Sequence, residues 1–158
     1  MKQLVFNEND GGRAAYFEAQ GVGDCVTRAV AIATGMDYKQ VYDTITKLVG
    51  YTPRNGVKHS HTKKVMNHFG GRWIPLMKIG TGCKHHLCAD EIPMHGRIIC
   101  NVSKHVTAVI DGVLNDTYDC SRDGSRCVYG YWYFGESVYQ IQETFHAREI
   151  ERSQNNKN

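Results

Sequence analysis

A cysteine, a histidine and an aspartate stand out along this chain, in that order. Cys25 lies in Gln20-Gly21-Val22-Gly23-Asp24-Cys25, a glycine-rich turn followed by the small, apolar run Val26–Thr34. His105 opens His105-Val106-Thr107-Ala108-Val109-Ile110, and Asp116 lies beyond the dipeptide Asp111-Gly112. A thiol at the start of a helix, with a histidine and a carboxylate on downstream strands, is a constellation for nucleophilic acyl transfer. The thiol attacks as thiolate, the imidazole holds and moves the proton, and the acid orients the ring. The free N–H groups and dipole at a helix start favour the thiolate. A carboxylate at Asp24, next to the thiol, works against it unless backbone N–H groups absorb its charge. Gln20 is the expected fourth member, its amide donating with the Cys25 N–H into an oxyanion hole.

Turn chemistry sets how the base meets the acid. Asp-Gly favours a two-residue type I′ turn, which puts Ile110 opposite Val113, Thr107 opposite Asp116 and His105 opposite Tyr118. Alternation then puts His105, Thr107, Val109, Leu114, Asp116 and Tyr118 on one face. His105 and Asp116 become diagonal neighbours within hydrogen-bond reach. Asn115 points to the other face and is the reserve if a bulge shifts the register.

The elements that must carry these residues follow from periodicity. Asp24 is the expected N-cap of a helix over Cys25–Thr34, closed by Gly35. Arg28 is its only charge, so this helix is expected to be central and buried. A second helix is expected over Tyr38–Val49, capped by Asp37 and stopped by Gly50. Apolar residues recur there at helical spacing. Thr52–Gly56 is a loop, and a third helix is expected over Thr62–Phe69. Strands are expected at Gln3–Phe6, Arg72–Met77, Arg97–Val102, His105–Ile110, Val113–Tyr118, Cys127–Phe134 and Ser137–Thr144. Helices first and strands after give an α+β domain with N-terminal helices packed on an antiparallel sheet. One domain is expected over residues 1–148, with a polar, frayed tail over 149–158.

Composition narrows the function classes. The chain has 158 residues, 41% of them hydrophobic and 22% charged, which suits a folded globular protein. A formal net charge of +3, with no dense basic block, gives no reason to expect nucleic acid. No apolar run is long enough for a signal peptide or a membrane span, so the expected compartment is the cytoplasm. There the six cysteines are expected as thiols. Cys83-Lys84-His85-His86-Leu87-Cys88, with Cys120 and Cys127, has zinc-compatible residue types, but paired Cys-x-x-Cys spacing is missing. A polar loop is the reading adopted, and no metal or organic cofactor is expected. His59, His61 and His68 are expected to be solvated. The aromatic run Tyr129, Tyr131, Trp132 and Tyr133 is expected in core or hairpin packing.

The stretch from Gln20 through Cys25 into a small apolar helix resembles the start of papain-like cysteine peptidases. The Asp-Cys pair and the His-Val…Asp pattern are closest to the bacteriocin-processing branch of that superfamily. Asp116-Thr117-Tyr118-Asp119-Cys120 and Val128-Tyr129-Gly130-Tyr131-Trp132 also resemble small uncharacterised proteins of phages and bacteria. The resemblance implies a papain-like fold and a thiol hydrolase with Cys25, His105, Asp116 and Gln20 as its site. It implies a protein or peptide substrate, with a murein cross-bridge or a side-chain amide as rivals. A phage protein that binds a host target without turnover is the non-enzyme reading.

Overall fold

A computed structural model describes residues 2–18, 23–137 and 152–154. The first helix, α1, runs Cys25–Thr34, and Gly35 closes it at φ 70° with its N–H on the Ala31 carbonyl. Glycine takes that left-handed cap without the strain a Cβ would add. Val26, Ala29, Val30 and Ala33 are buried, and such small side chains let a helix lie close to a sheet. Helix α2 spans Tyr38–Val49, and the Asp37 carboxylate accepts the Gln40 N–H at its start. Val41 and Ile45 bury its inner face beside α1.

Helix α3 runs His59–His68, starting three residues before the expected Thr62. The Lys58 carbonyl accepts the His61 N–H and the Thr62 hydroxyl, closing a first turn that has no apolar residue to announce it. His59 and His61 therefore sit on the helix. His61 is not simply solvated, because its Nδ1 lies 2.8 Å from the Tyr51 hydroxyl.

Six strands form one sheet in the order β1-β5-β4-β3-β6-β2. They are β1 (Val5–Glu8), β2 (Arg72–Pro75), β3 (Arg97–Val102), β4 (His105–Ile110), β5 (Val113–Asp116) and β6 (Gly130–Tyr133). β3 and β4 have their expected bounds. β2 and β6 are shorter than expected, because the Leu76 and Met77 N–H groups both converge on the Tyr129 carbonyl and end the regular ladder. β5 stops at Asp116. The strand expected at Ser137–Thr144 lies outside the described residues beyond Ser137, which is not in a strand. So does the expected tail, apart from residues 152–154.

The expectation of a wholly antiparallel sheet is corrected at one edge. β1 pairs parallel with β5, so the sheet is mixed. All four β1 side chains are exposed, and the strand begins two residues later than expected and runs on into the polar Asn7 and Glu8. Its backbone ladder holds it, together with the Asn7 side-chain amide on Asn115 Oδ1 at 2.8 Å.

The sheet is covered on both faces. Helix α1 packs with Ile99, Val106, Ala108 and Trp132 on one side. Leu87, Ile98, Cys100, Val109, Leu114 and Val128 form the core on the other. Burial on both faces explains why β3 and β4 carry apolar runs instead of alternating. Among the described residues no helix is long and apolar enough to cross a membrane.

The expectation of six thiols is also corrected. Cys83 and Cys127 form a disulfide, and Cys25, Cys88, Cys100 and Cys120 are free. The pairing of His86 with Cys127 and the Leu87 N–H on the Arg126 carbonyl bring the two segments together. The Cα atoms of Cys83 and Cys127 are then 5.6 Å apart, within bridging range.

Candidate active site

Cys25 is the first residue of α1, and its partly buried thiol lies beside the His105 side chain. The Val106 backbone N–H faces the sulfur as well. Burial alone would raise the thiol pKa. The hydrogen bond and charge of His105, the Val106 N–H and the Arg28 charge outweigh it, and the thiol lies below its ordinary value.

His105 opens β4. Its Nε2 lies 2.7 Å from Asp116 Oδ2, which leaves Nδ1 for the thiol. Burial opposes an imidazolium here, yet hydrogen bonds to Asp116, Cys120 and Cys25 push its pKa up to about 12. A lowered thiol beside a raised imidazole favours the thiolate–imidazolium pair over the neutral pair. The Tyr118 ring leans over the imidazole, with centroids 5.6 Å apart.

Asp116 ends β5 and is buried. Its Oδ2 also accepts the Thr107 hydroxyl at 2.8 Å, while Oδ1 accepts the Thr117 N–H at 2.7 Å and faces Arg28 Nη2 at 3.5 Å. Burial pushes this carboxyl up. His105 above all, then Thr107 and Thr117, hold it below its ordinary value.

The hairpin has its expected register. Ile110 pairs with Val113, and Asp111 and Gly112 take φ values of 48° and 78°, as a type I′ turn requires. A Cβ at Gly112 would also meet Met94 Cε at 2.6 Å. Asn115, the reserve for the acid, faces away. Its Oδ1 accepts the Asn7 and Asn9 amides, and its own amide donates to the Val113 carbonyl. Gln20 lies outside the described residues.

Asp24 does not cap α1 through its side chain, contrary to expectation. Its carbonyl accepts the Arg28 N–H and starts the helix. Its carboxylate, 1% exposed, meets Arg13 Nε at 3.0 Å, Arg28 Nη1 and the Tyr38 hydroxyl at 2.6 Å. Two guanidiniums thus offset the carboxylate next to Cys25. The sequence reading missed Arg13, Tyr38 and the role of Arg28. One signal was present: a lone arginine in a buried helix, four residues after an aspartate.

The candidate zinc set is not assembled, since the Cys83–Cys127 disulfide uses two of its thiols. Cys88 instead donates to Glu91 at 2.7 Å. Cys120 lies at the site itself, where His105, Asp116 and Cys120 place donor atoms within 4.8 Å of one another. These groups hydrogen-bond among themselves.

Two cavities meet at Cys25 and His105. One, of about 480 Å³, is walled by Val57, Trp73, Met77, Ile79 and Tyr129, with His59 also in its lining. The other, of about 960 Å³, carries Glu8, Asp10, Glu18 and Arg13. Lys104 borders both. Cys25 and His105 thus lie where two recesses meet, one more apolar and the other charged. Comparison of the chain with protein-family models, with curated proteins and with solved structures finds no match.

Proposed function

We propose that this protein is a papain-like cysteine hydrolase that cleaves an amide bond through a thioester. The Asp116–His105–Cys25 arrangement carries the reading: 2.7 Å from acid to base, with the imidazole beside a thiol whose pKa it lowers. The Cys25 thiolate attacks the carbonyl carbon, a C–S bond forms, and the carbonyl electrons move onto oxygen. The Cys25 N–H, which has no partner within the helix, stabilises that oxyanion. On collapse the C–N bond breaks, and the His105 proton passes to the leaving nitrogen. Water then adds to the thioester while His105 takes its proton, releasing the acid and restoring the thiolate–imidazolium pair. Asp116 and Thr107 fix the imidazole throughout.

Iodoacetamide labelling of Cys25 across pH, followed by mass spectrometry, tests this in wild type and His105→Ala. Fast labelling of Cys25 well below the ordinary thiol range near 8.5, lost in the variant, is expected. Labelling no faster than a solvent thiol would overturn the reading and favour a binding module. Peptide, murein and side-chain-amide substrates then distinguish the kinds of hydrolase.

A further inference from the structure

Helix α1 carries one charged side chain, and it reaches both ends of the site. Arg28 lies one turn after Asp24 on the same face and is 7% exposed. Its Nη1 donates to Asp24 Oδ1, and its Nη2 faces Asp116 Oδ1 at 3.5 Å. One of these carboxylates precedes the nucleophile, and the other stands behind the imidazole. From Arg13 through Asp24, Arg28, Asp116 and His105 to Cys25, positive and negative groups alternate.

Resting on the triad reading above, we propose that Arg28 is a positioning residue: by bridging Asp24 and Asp116 it holds the nucleophile's helix in register with the hairpin that carries base and acid. The two units need such a tie. Cys25 belongs to α1 and His105 and Asp116 to β4 and β5, so their alignment depends on how α1 sits on the sheet. A guanidinium is suited to the role because its rigid fork can serve two carboxylates on different elements at once. A lysine ammonium is a compact point charge on a flexible stem and holds the two less firmly.

The bridge also sets the electrostatics behind the imidazole. The charged and titratable groups facing Asp116 are Arg28 on α1, His105 on β4 and Cys120 in the segment after β5, with Asp24 beyond Arg28. Glu8 of β1 pairs with Asp116 in register, and its exposed side chain borders the charged cavity. Without Arg28, the Asp116 carboxylate keeps His105 but loses the second cation facing it, and Cys25 loses a positive charge that favours its thiolate.

The test is the pH profile of Cys25 alkylation by iodoacetamide in wild type, Arg28→Met and Arg28→Lys, with thermal melting alongside. The acid limb is expected to move up by about one pH unit in Arg28→Met, an approximately tenfold loss of rate on that limb. Arg28→Lys should lie between, since it keeps the charge and loses the fork. A merely structural role would lower the melting temperature in both variants and leave the limb in place; that result overturns the proposal. If Arg28→Met does not fold, Arg28→Lys decides: a raised limb supports the bridge, and a wild-type limb overturns it. An ordinary thiol in the wild type would overturn the triad reading itself, whereas a low wild-type limb unmoved in the variants overturns the Arg28 role alone.

Discussion

His105 Nε2 and Asp116 Oδ2 lie 2.7 Å apart at the open end of the hairpin that Asp111 and Gly112 close. The β4–β5 ladder runs regularly from Ile110–Val113 to Ala108–Asn115, so the contact is a consequence of register. A one-residue slip would turn Asp116 to the helix face of the sheet and put Asn115 in its place.

Asp116 should make the fold acid-sensitive. Its carboxyl lies below the ordinary 3.8 because His105, Thr107 and Thr117 together outweigh burial. The stability it contributes is therefore fully present above that unfolded value and lost as pH falls through the lower folded one. Asp116→Asn should melt lower than wild type at neutral pH and lose less of its melting temperature on acidification. Parallel acid slopes in the two proteins would show that this carboxylate does not contribute the difference.

Asn115→Ala should loosen β1 and spare the site. The substitution removes the acceptor for the Asn7 and Asn9 amides, and a cost of about 1–2 kcal/mol is expected for those bonds. Urea denaturation should show the loss, while Cys25 alkylation keeps its wild-type pH profile. A slowed alkylation in a folded Asn115→Ala protein would mean that Asn115, and not only Asp116, supports the imidazole.

Gly130→Ala should strain the wall of the apolar cavity. A Cβ there would collide with the Trp73 ring and meet the Ile74 carbonyl at 2.7 Å. The tryptophan can turn aside, but the paired β2 backbone has less freedom, so a destabilisation of about 1–3 kcal/mol is expected. Trp73 borders the cavity beside Cys25 and packs on Trp132, so the emission spectrum should change as well. Unchanged stability together with unchanged emission would show that β2 and β6 have room to separate.

Reduction should cost stability and free one stretch of the cavity wall. Cys83 and Cys127 are 44 residues apart, for which loop-closure entropy gives about 4 kcal/mol. Segment 85–88 stays tied to 126–128 by the Leu87 N–H on Arg126 and the Val128 N–H on His85. Loosening should therefore concentrate in 78–84, beside Met77 and Ile79 of the cavity wall. Hydrogen exchange and thermal melting with and without dithiothreitol would measure both effects. Uniform exchange across 78–88 would show that the backbone ties do not survive without the bridge.

Much of the frame was legible because its signals are local. The bounds of α1 and α2 follow from helical periodicity and from Gly35 and Gly50, each in the left-handed cap. The β4–β5 register follows from Asp-Gly. Two elements were shifted: the first turn of α3, His59-Ser60-His61, has no apolar residue, and β1 runs past Val5 and Phe6 into the polar Asn7 and Glu8. There the edge strand is held by backbone pairing and asparagine amides, which composition does not announce.

By itself the sequence determined which residues share a helix or a hairpin face, because neighbours in sequence are bound to the 3.6- and 2-residue periods of the backbone. That was enough to put Cys25 at a helix start and His105 beside Asp116. Only the tertiary structure decided that Asp24 meets Arg13 and Tyr38 instead of capping its helix, that β1 runs parallel to β5, and that Cys83 joins Cys127. It also decided that Arg28 reaches a carboxylate 88 residues away. These contacts depend on which buried faces meet when α1 packs on the sheet, and a buried charge takes the partner that packing brings to it.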